Sequence, residues 1–327
     1  MSDTAITGAS GLVGGDLLKA LIGRGATTRA IVRSPEAART VESLGGAPIV
    51  ADLFDHDALR DAMWGADVLY HVAGVNDTCA RDSAAMDRVN IDGTRAVVAA
   101  AAAAGVGRVV YTSSAAAIGE NEGIVANEQI VNNGEFLSPY ARSKYLAEVA
   151  AFEEASAVGI DLVSVNPSSV QGPGRSGGSA RILLYALTAR RPFLTDTHLS
   201  IVDIADCTEG HLAAAEHGRP GERYLLSGAT LTVKEAVDMA ADTSGVRVEP
   251  RWLSASTVRT VGRPLSRVIN RIKPGAGVCP ALIDTLLHGH RFDGSRAERE
   301  LGVTYTPVTE TFARTIAWFE AEGLLGQ

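Results

Sequence analysis

Tyr140 and Lys144 stand four residues apart in Ser138-Pro139-Tyr140-Ala141-Arg142-Ser143-Lys144-Tyr145-Leu146-Ala147-Glu148. Proline at the start and good helix formers after it predict a helix. Residues four apart share one helix face, so a phenol and an ammonium point into the same space. A free tyrosine titrates near ~10, too high for ready proton transfer at neutral pH. A neighbouring cation favours the phenolate and lowers that value. Tyr140 is therefore a candidate general acid/base with Lys144 as its partner. The plain alternative is two exposed side chains that happen to share a face. Tyr-x-x-x-Lys alone does not separate the two; the surrounding elements must.

The first of these is a glycine turn. Thr4-Ala5-Ile6-Thr7 reads as a short strand, Gly8-Ala9-Ser10-Gly11-Leu12-Val13-Gly14-Gly15 as a turn, and Asp16 to Ile22 as a helix. Gly8 permits the tight turn, Gly11 lets backbone approach a phosphate, and Gly14 lets helix pack on strand. The helix N-terminus then offers free N–H groups and a positive dipole end to a pyrophosphate. The spacing is G-x-x-G-x-x-G, and an ordinary glycine turn is the competing reading.

A second strand, Thr28 to Val32, ends at Arg33. Sites that prefer NAD usually carry an acid here for the ribose hydroxyls. Arg33 instead suits a 2′-phosphate through charge-assisted hydrogen bonds, and Arg39 on the next helix could reach the same group. A solvated surface arginine is the alternative.

Alternation continues. Pro48 to Ala51 reads as strand three, closed by Asp52-Leu53; Asp55 caps a helix running to Trp64. Val68 to Gly74 is strand four with a small-residue turn, Val72-Ala73-Gly74, where a ribose could lie against backbone. One long alanine-rich helix is expected over Ala84–Ala104, then strand five over Arg108–Thr112, leaving Ser113-Ser114-Ala115 at its carboxyl end. Asp161 to Asn166 is strand six. Strand and helix alternating this regularly predict an α/β fold, a doubly wound parallel sheet of right-handed units that binds its ligand at the carboxyl edge. Past Gly174 composition changes. Arg175 to Ser179 is a Gly/Ser-rich loop. Helices follow over Ile182–Ala189 and Cys207–Ala215, the latter led into by a segment that starts at Ile201. Arg223 to Ser227 returns as a strand to the main sheet, and Thr232 to Glu235 is a capping box. The expected organisation is a dinucleotide-binding domain over 1–174, rejoined by 203–228. A smaller substrate lobe takes 175–202 and 229–327.

The 327 residues are 46% apolar and 21% charged, with net charge −8. That suits a large soluble core and argues against nonspecific nucleic-acid binding. Cys79, Cys207 and Cys279, odd in number and widely spaced, predict neither a disulfide framework nor a zinc site, as in a reducing cytoplasm. The Met1-Ser2-Asp3 start carries no leader pattern. The longest helix-like apolar run, Ala96 to Ala104, falls far short of the ~20 residues of a membrane span. The expectation is a cytoplasmic protein with no membrane span, no nucleic-acid partner and no metal: His288-Gly289-His290 makes no ligand set and H-E-x-x-H is absent. Gly174-Arg175-Ser176-Gly177-Gly178 matches a serine-hydrolase elbow in letters, but lacks the strand before and helix after it.

With these pieces placed, the chain resembles an extended short-chain dehydrogenase/reductase. The matching residues are Thr7-Gly8-x-x-Gly11-x-x-Gly14, Asp52-Leu53, Thr112-Ser113-Ser114, Tyr140-x-x-x-Lys144, Asn166-Pro167-x-x-x-x-Gly172-Pro173, Val202-Asp203 and Phe292-Asp293-x-Ser295-x-Ala297-x-x-x-Leu301-Gly302. They span nearly the whole chain in family order. Val32-Arg33-Ser34-Pro35 and Gly218 to Tyr224 most resemble the dihydroflavonol-reductase-like branch, which includes bacterial relatives described as hopanoid-associated sugar epimerases.

The resemblance implies that Ser114 hydrogen-bonds the substrate oxygen, Tyr140 passes the proton, and Lys144 depresses the tyrosine pKa and holds the nicotinamide ribose. Ser114 is preferred to Ser113 on the alanine-rich stretch that follows. Pro167 and Val170 would lie against the nicotinamide. The implied cofactor site is Gly8, Ser10, Gly11, Leu12, Val13, Gly14, Arg33, Asp52, Leu53, Val72, Ala73, Gly74, Thr112, Tyr140, Lys144, Pro167, Ser169 and Val170. NADP(H) is preferred there, with NAD(H) the other option.

The expected activity is NADPH-dependent reduction of a ketone or aldehyde on a small hydrophobic substrate. A nucleotide-sugar epimerase or dehydratase with retained cofactor is the alternative, and a non-catalytic NADP(H) sensor a third. Some relatives pair as homodimers through helices corresponding to 84–104 and 140–158. Arg263, Arg267 and Arg271, spaced by four, form a cationic stripe if helical, either a solvated face or a clamp on a sugar nucleotide's pyrophosphate.

Overall fold

A computed structural model describes residues 3–80, 82–119, 122–273 and 277–325. The Met1-Ser2 start, part of the no-leader expectation, lies outside them. In chain order the first half is β1 (Asp3–Thr7), α1 (Leu12–Gly23), β2 (Thr27–Val32), α2 (Pro35–Ser43), β3 (Ala47–Val50), α3 (His56–Met63), β4 (Val68–His71), α4 (Ala84–Asp87), α5 (Gly93–Ala103), β5 (Arg108–Thr112), α6 (Pro139–Val158) and β6 (Asp161–Pro167). The second half is β7 (Ser169–Gln171), α7 (Ala180–Thr188), β8 (Phe193–Leu194), β9 (His198–Asp203), α8 (Ile204–His217), β10 (Arg223–Leu226), β11 (Ala229–Thr232), α9 (Val233–Ser244), β12 (Arg251–Trp252), α10 (Ala255–Thr257), α11 (Arg263–Ile272), α12 (Pro280–His288), α13 (Ser295–Leu301) and α14 (Val308–Ala321).

Seven strands form one parallel sheet in the order β10-β6-β5-β4-β1-β2-β3. Strands of such a sheet are covered on both faces and read as continuous apolar runs, as Val109-Val110-Tyr111 does. One face packs Leu17, Leu18 and Leu21 of α1 and Leu212 of α8; the other packs Leu59 and Met63 of α3, Val97 and Val98 of α5, and Ala147, Ala151 and Ala155 of α6. Each large apolar side chain so buried contributes about 1.5–3 kcal/mol. The alanines let α5 and α6 lie close together under the sheet. The chain order reverses between β1 and β4, which opens a crevice at their carboxyl ends.

As expected from the sequence, β10 returns to the main sheet beside β6. Two small sheets, β11-β9-β7 and β12-β8, lie outside it. A third core joins α7, α9 and α14 through Leu183, Ala236, Phe312, Ile316 and Phe319. Side-chain caps at Ser34, Asp55, Ser138, Asp203 and Thr232 start their helices, each worth about 1 kcal/mol. Thr232 and Glu235 make the reciprocal capping box.

Two expectations are corrected. The helix expected without interruption over Ala84–Ala104 contains a π turn at Arg88–Asp92, which widens the helix where the Asn90 side chain turns away to bond the loop after β4. Cys79 and Cys279 form a disulfide, Cα to Cα 5.6 Å, across a sequence separation of 200. Folding brings the loop after β4 against the start of α12, a meeting that cysteine spacing cannot reveal. The compartment argument from three unpaired cysteines lapses with it; Cys207 alone is free, and buried.

Candidate active site

The glycine turn behaves as its spacing predicts. Gly8 has φ +77°, and a Cβ there would lie 2.5 Å from the Ala73 backbone nitrogen. A Cβ on Gly14 would lie 2.2 Å from the Gly8 carbonyl oxygen, so helix and strand meet at a distance only glycine allows. Around Gly11 a Cβ would meet only the Gly8 carbonyl, at 3.3 Å. Gly11 is also the N-cap of α1, and it supplies no side-chain cap. The first N–H groups of α1, including those of Leu12 and Val13, are thus left for an outside acceptor. An uncapped helix start behind an open glycine cradle fits a pyrophosphate.

The β4 end forms the facing wall. Val72 N–H donates to the Thr7 carbonyl and Ala73 N–H to Thr7 Oγ1. Thr7 Oγ1 also bonds His71 Nδ1 at 2.7 Å, and His71 Nε2 meets Thr94 Oγ1 at 3.1 Å. Complete burial lowers the His71 pKa to about 3, so the ring is a neutral strut. Gly74 is exposed at the crevice; a Cβ on it would lie 3.3 Å from Asn90 Oδ1 and 3.9 Å from Lys144 Nζ.

Helix α6 brings its residues to the same place. Ser138 caps it, Pro139 opens it, and Gly159 in the left-handed region ends it. Lys144 is buried; its ammonium donates to the Thr112 carbonyl at 2.7 Å and the Tyr111 hydroxyl at 3.2 Å. Burial lowers its pKa to about 8, opposed by the charge of Glu148. Tyr140 differs from expectation. Burial raises its pKa, and the groups that pull it back are Ser114, by hydrogen bonding, and Arg175, by charge. The physical reason is direction: the Lys144 ammonium is spent on β5, while the phenol faces Ser114 and Arg175. Arg175, expected only as part of a loop, is half-buried there.

The two serines separate. Ser113 Oγ is buried without a partner among the described residues, whereas Ser114 Oγ accepts from Ala116 N–H and faces Tyr140. Thr112 Oγ1 lies 2.9 Å from His211 Nε2. His211 Nδ1 donates to the Cys207 carbonyl, so in the neutral ring Nε2 accepts from Thr112; burial keeps that ring neutral, with a pKa of about 4.

Beneath α6 the buried Glu148 accepts from Ser164 Oγ, Asn166 Nδ2 and Arg223. Asn166 Nδ2 also reaches the Ser114 carbonyl at 3.2 Å. Pro167 and Val170 are buried beyond it, and Ser169 Oγ bonds Ser179 Oγ. Asn90 and Glu148 escaped the sequence reading because polar residues inside an amphipathic helix give no signal of what they face.

The outlying residues are less converged. Arg33 is exposed at the end of β2. Arg39 is paired with Glu36 at 3.4 Å rather than open to a second group. Asp52 turns its carboxylate onto the Phe54 N–H at 2.9 Å, and Leu53 packs beside Gly93. In the proposed clamp, Arg263 is held by Asp284 of α12 at 2.8 Å.

Known proteins place the chain in a family. A sequence profile described as the NAD dependent epimerase/dehydratase family matches residues 4–227. A putative dihydroflavonol 4-reductase of Synechocystis sp. is 30% identical over 97% of this chain and 94% of its own length. Sterol demethylase protein B of Methylococcus capsulatus is 31% identical over 98% and 99%. The crystal structure of gox2253 superposes with a TM-score of 0.85 at 30% identity, covering 99% of this chain and 100% of that one. The chain belongs to the NAD-dependent epimerase/dehydratase family of extended short-chain dehydrogenases/reductases and is an NAD(P)-dependent oxidoreductase.

Proposed function

We propose that this enzyme reduces the carbonyl of a small hydrophobic ketone or aldehyde, with NADPH as the preferred cofactor. The observation that carries the reading is the convergence of Ser114, Tyr140 and Lys144 on one crevice, next to Gly74 and across from the uncapped start of α1. The N–H groups of Leu12 and Val13 would hold the pyrophosphate, Lys144 a ribose, Arg33 a 2′-phosphate, and Pro167 and Val170 the nicotinamide. When bound, the dinucleotide supplies the hydride.

The protein's own part is placement and a proton. Ser114 Oγ donates to the carbonyl oxygen and fixes its position. Tyr140, kept protonated by burial, passes its proton to that oxygen as negative charge develops there. Arg175 supplies positive charge near the phenolate that results. The sequence range 175–202 with 229–327 would form the substrate lobe, over a binding domain of 1–174 and 203–228.

Reduction is favoured over sugar-nucleotide epimerisation by where the arginines are. Asp203 is held by Arg314 of α14, and Arg263 by Asp284, which leaves that arginine committed within the protein. The relatives' names point the same way, one to a reductase and one to a sterol. A ketone and aldehyde panel followed by NADPH absorbance tests the reading, alongside calorimetric titration with UDP- and dTDP-sugars. Turnover of an apolar carbonyl with no sugar-nucleotide binding supports it. Micromolar sugar-nucleotide binding without carbonyl turnover overturns it.

A further inference from the structure

Helix α11 has an outer face that the described residues leave exposed. Leu265, Val268 and Ile272 fall at i, i+3 and i+7, one stripe of a helix. Their exposures are 53%, 51% and 77%, and Val261, one turn earlier, is 60% exposed. The inner side is tied to α12 through Arg263. Ser266 is buried and donates to the Arg263 carbonyl, and Arg263 pairs with Asp284 of α12. The stripe is therefore displayed by a docked helix, not by a frayed one.

Charge gathers along the same stretch. Between Pro250 and Lys273 stand Arg251, Arg259, Arg263, Arg267, Arg271 and Lys273, with no Asp or Glu. The whole chain has net charge −8, so this local excess runs against its balance. Arg259 and Arg267 are exposed. A second copy of an acidic chain would meet the arginines or the stripe, but need not offer both partners side by side. The interface of an anionic bilayer does: phosphates take the arginines, and the acyl boundary takes the apolar stripe.

We propose that α11 is a membrane-surface helix that docks the enzyme on anionic phospholipid, lying in the interface plane without crossing it. No described helix is long and apolar enough to span a membrane, which leaves surface docking as the geometry for such a helix. The helix is fixed through α12 and the Cys79–Cys279 disulfide to the loop that follows Gly74. Docking therefore holds the crevice side of the molecule near the lipid, where an apolar carbonyl compound would partition. The docking itself does not depend on which carbonyl is reduced.

Co-sedimentation of the full chain with vesicles tests this. Vesicles of equal parts phosphatidylcholine and phosphatidylglycerol should carry the protein down, pure phosphatidylcholine much less, and added salt should release it. Leu265→Glu with Val268→Glu should weaken binding at least tenfold. Arg259→Gln and Arg267→Gln should each weaken it about fivefold, with thermal melts unchanged because both sites are solvent-facing. No sedimentation of the parent with anionic vesicles overturns the proposal. So does undiminished binding by the glutamate pair together with the glutamine pair. A lipid-free dimer that Leu265→Glu and Val268→Glu convert to monomer also overturns it, by assigning the face to a second copy.

Discussion

Asn90 Nδ2 donates to Ser143 Oγ at 3.0 Å, joining the π turn to the helix that carries Tyr140 and Lys144. The same amide accepts from Val75 N–H at 2.7 Å and donates to the Val75 carbonyl at 3.0 Å. One buried side chain thus fixes three things relative to one another: the wall after β4, the widened helix and α6. Placement of a proton donor within tenths of an ångström depends on such ties.

Asn90→Ala should therefore cost both stability and rate. Leaving Ser143 and the Val75 groups without their partner costs about 1–3 kcal/mol. A thermal melt should fall by several degrees, and kcat should drop more than cofactor affinity. A variant that melts and turns over like the parent would show the tie to be incidental.

Tyr140→Phe should retain fold and cofactor binding and lose almost all turnover. The ring still packs, and only the proton is removed. Circular dichroism and NADPH fluorescence check the first two, and a carbonyl assay the third. Retention of more than a small fraction of the rate would transfer the proton-donating role to another group.

Arg33→Ala should weaken NADPH binding and leave NADH little changed. A charged contact to phosphate is worth about 1.5–3 kcal/mol, or roughly ten- to a hundredfold. Equal loss for both cofactors would remove Arg33 from the 2′-phosphate.

Much of this arrangement was legible in the sequence, for local reasons. The spacing of Gly8, Gly11 and Gly14 reports backbone approaches that only glycine tolerates, and the four-residue step from Tyr140 to Lys144 reports a shared helix face. Boundaries such as β5 over Arg108–Thr112 follow from a short apolar run between turns. What was not legible is long-range. The Lys144 ammonium was expected on the phenol, and it is committed to Thr112 and Tyr111 on another element. Arg175 reaches the phenol from a loop with no regular period. Cys79 and Cys279 meet only because the folded chain carries the start of α12 back to the loop after β4.

Cys279→Ser should lower stability by about 3–5 kcal/mol, since the bond closes a very long loop in the unfolded chain. Mass spectrometry of the unreduced, alkylated protein should find one modified thiol, Cys207, after denaturation. Three alkylated thiols, or a melt insensitive to reductant, would remove the bond from the native state.

Lys144 makes two opposite predictions from one cause. Its pKa in the folded protein is lowered to about 8 from 10.5, chiefly by burial. Below pH 8 the lysine is protonated in folded and unfolded chains alike, and the folded state bears the cost of the buried charge. Between about 8 and 10.5 only the unfolded chain keeps the proton, so this residue's contribution to stability rises with pH. The slope is at most about 1.4 kcal/mol per pH unit. Denaturant unfolding of the cofactor-free parent, minus the same profile for Lys144→Met, should show that rise, because methionine has no proton to lose. Cofactor affinity should move the other way. If the ammonium holds the ribose, NADPH binding to the parent weakens as pH passes 8, and Lys144→Met binds weakly at every pH. Parallel profiles for parent and variant in both measurements would mean that Lys144 neither titrates in this window nor touches the cofactor.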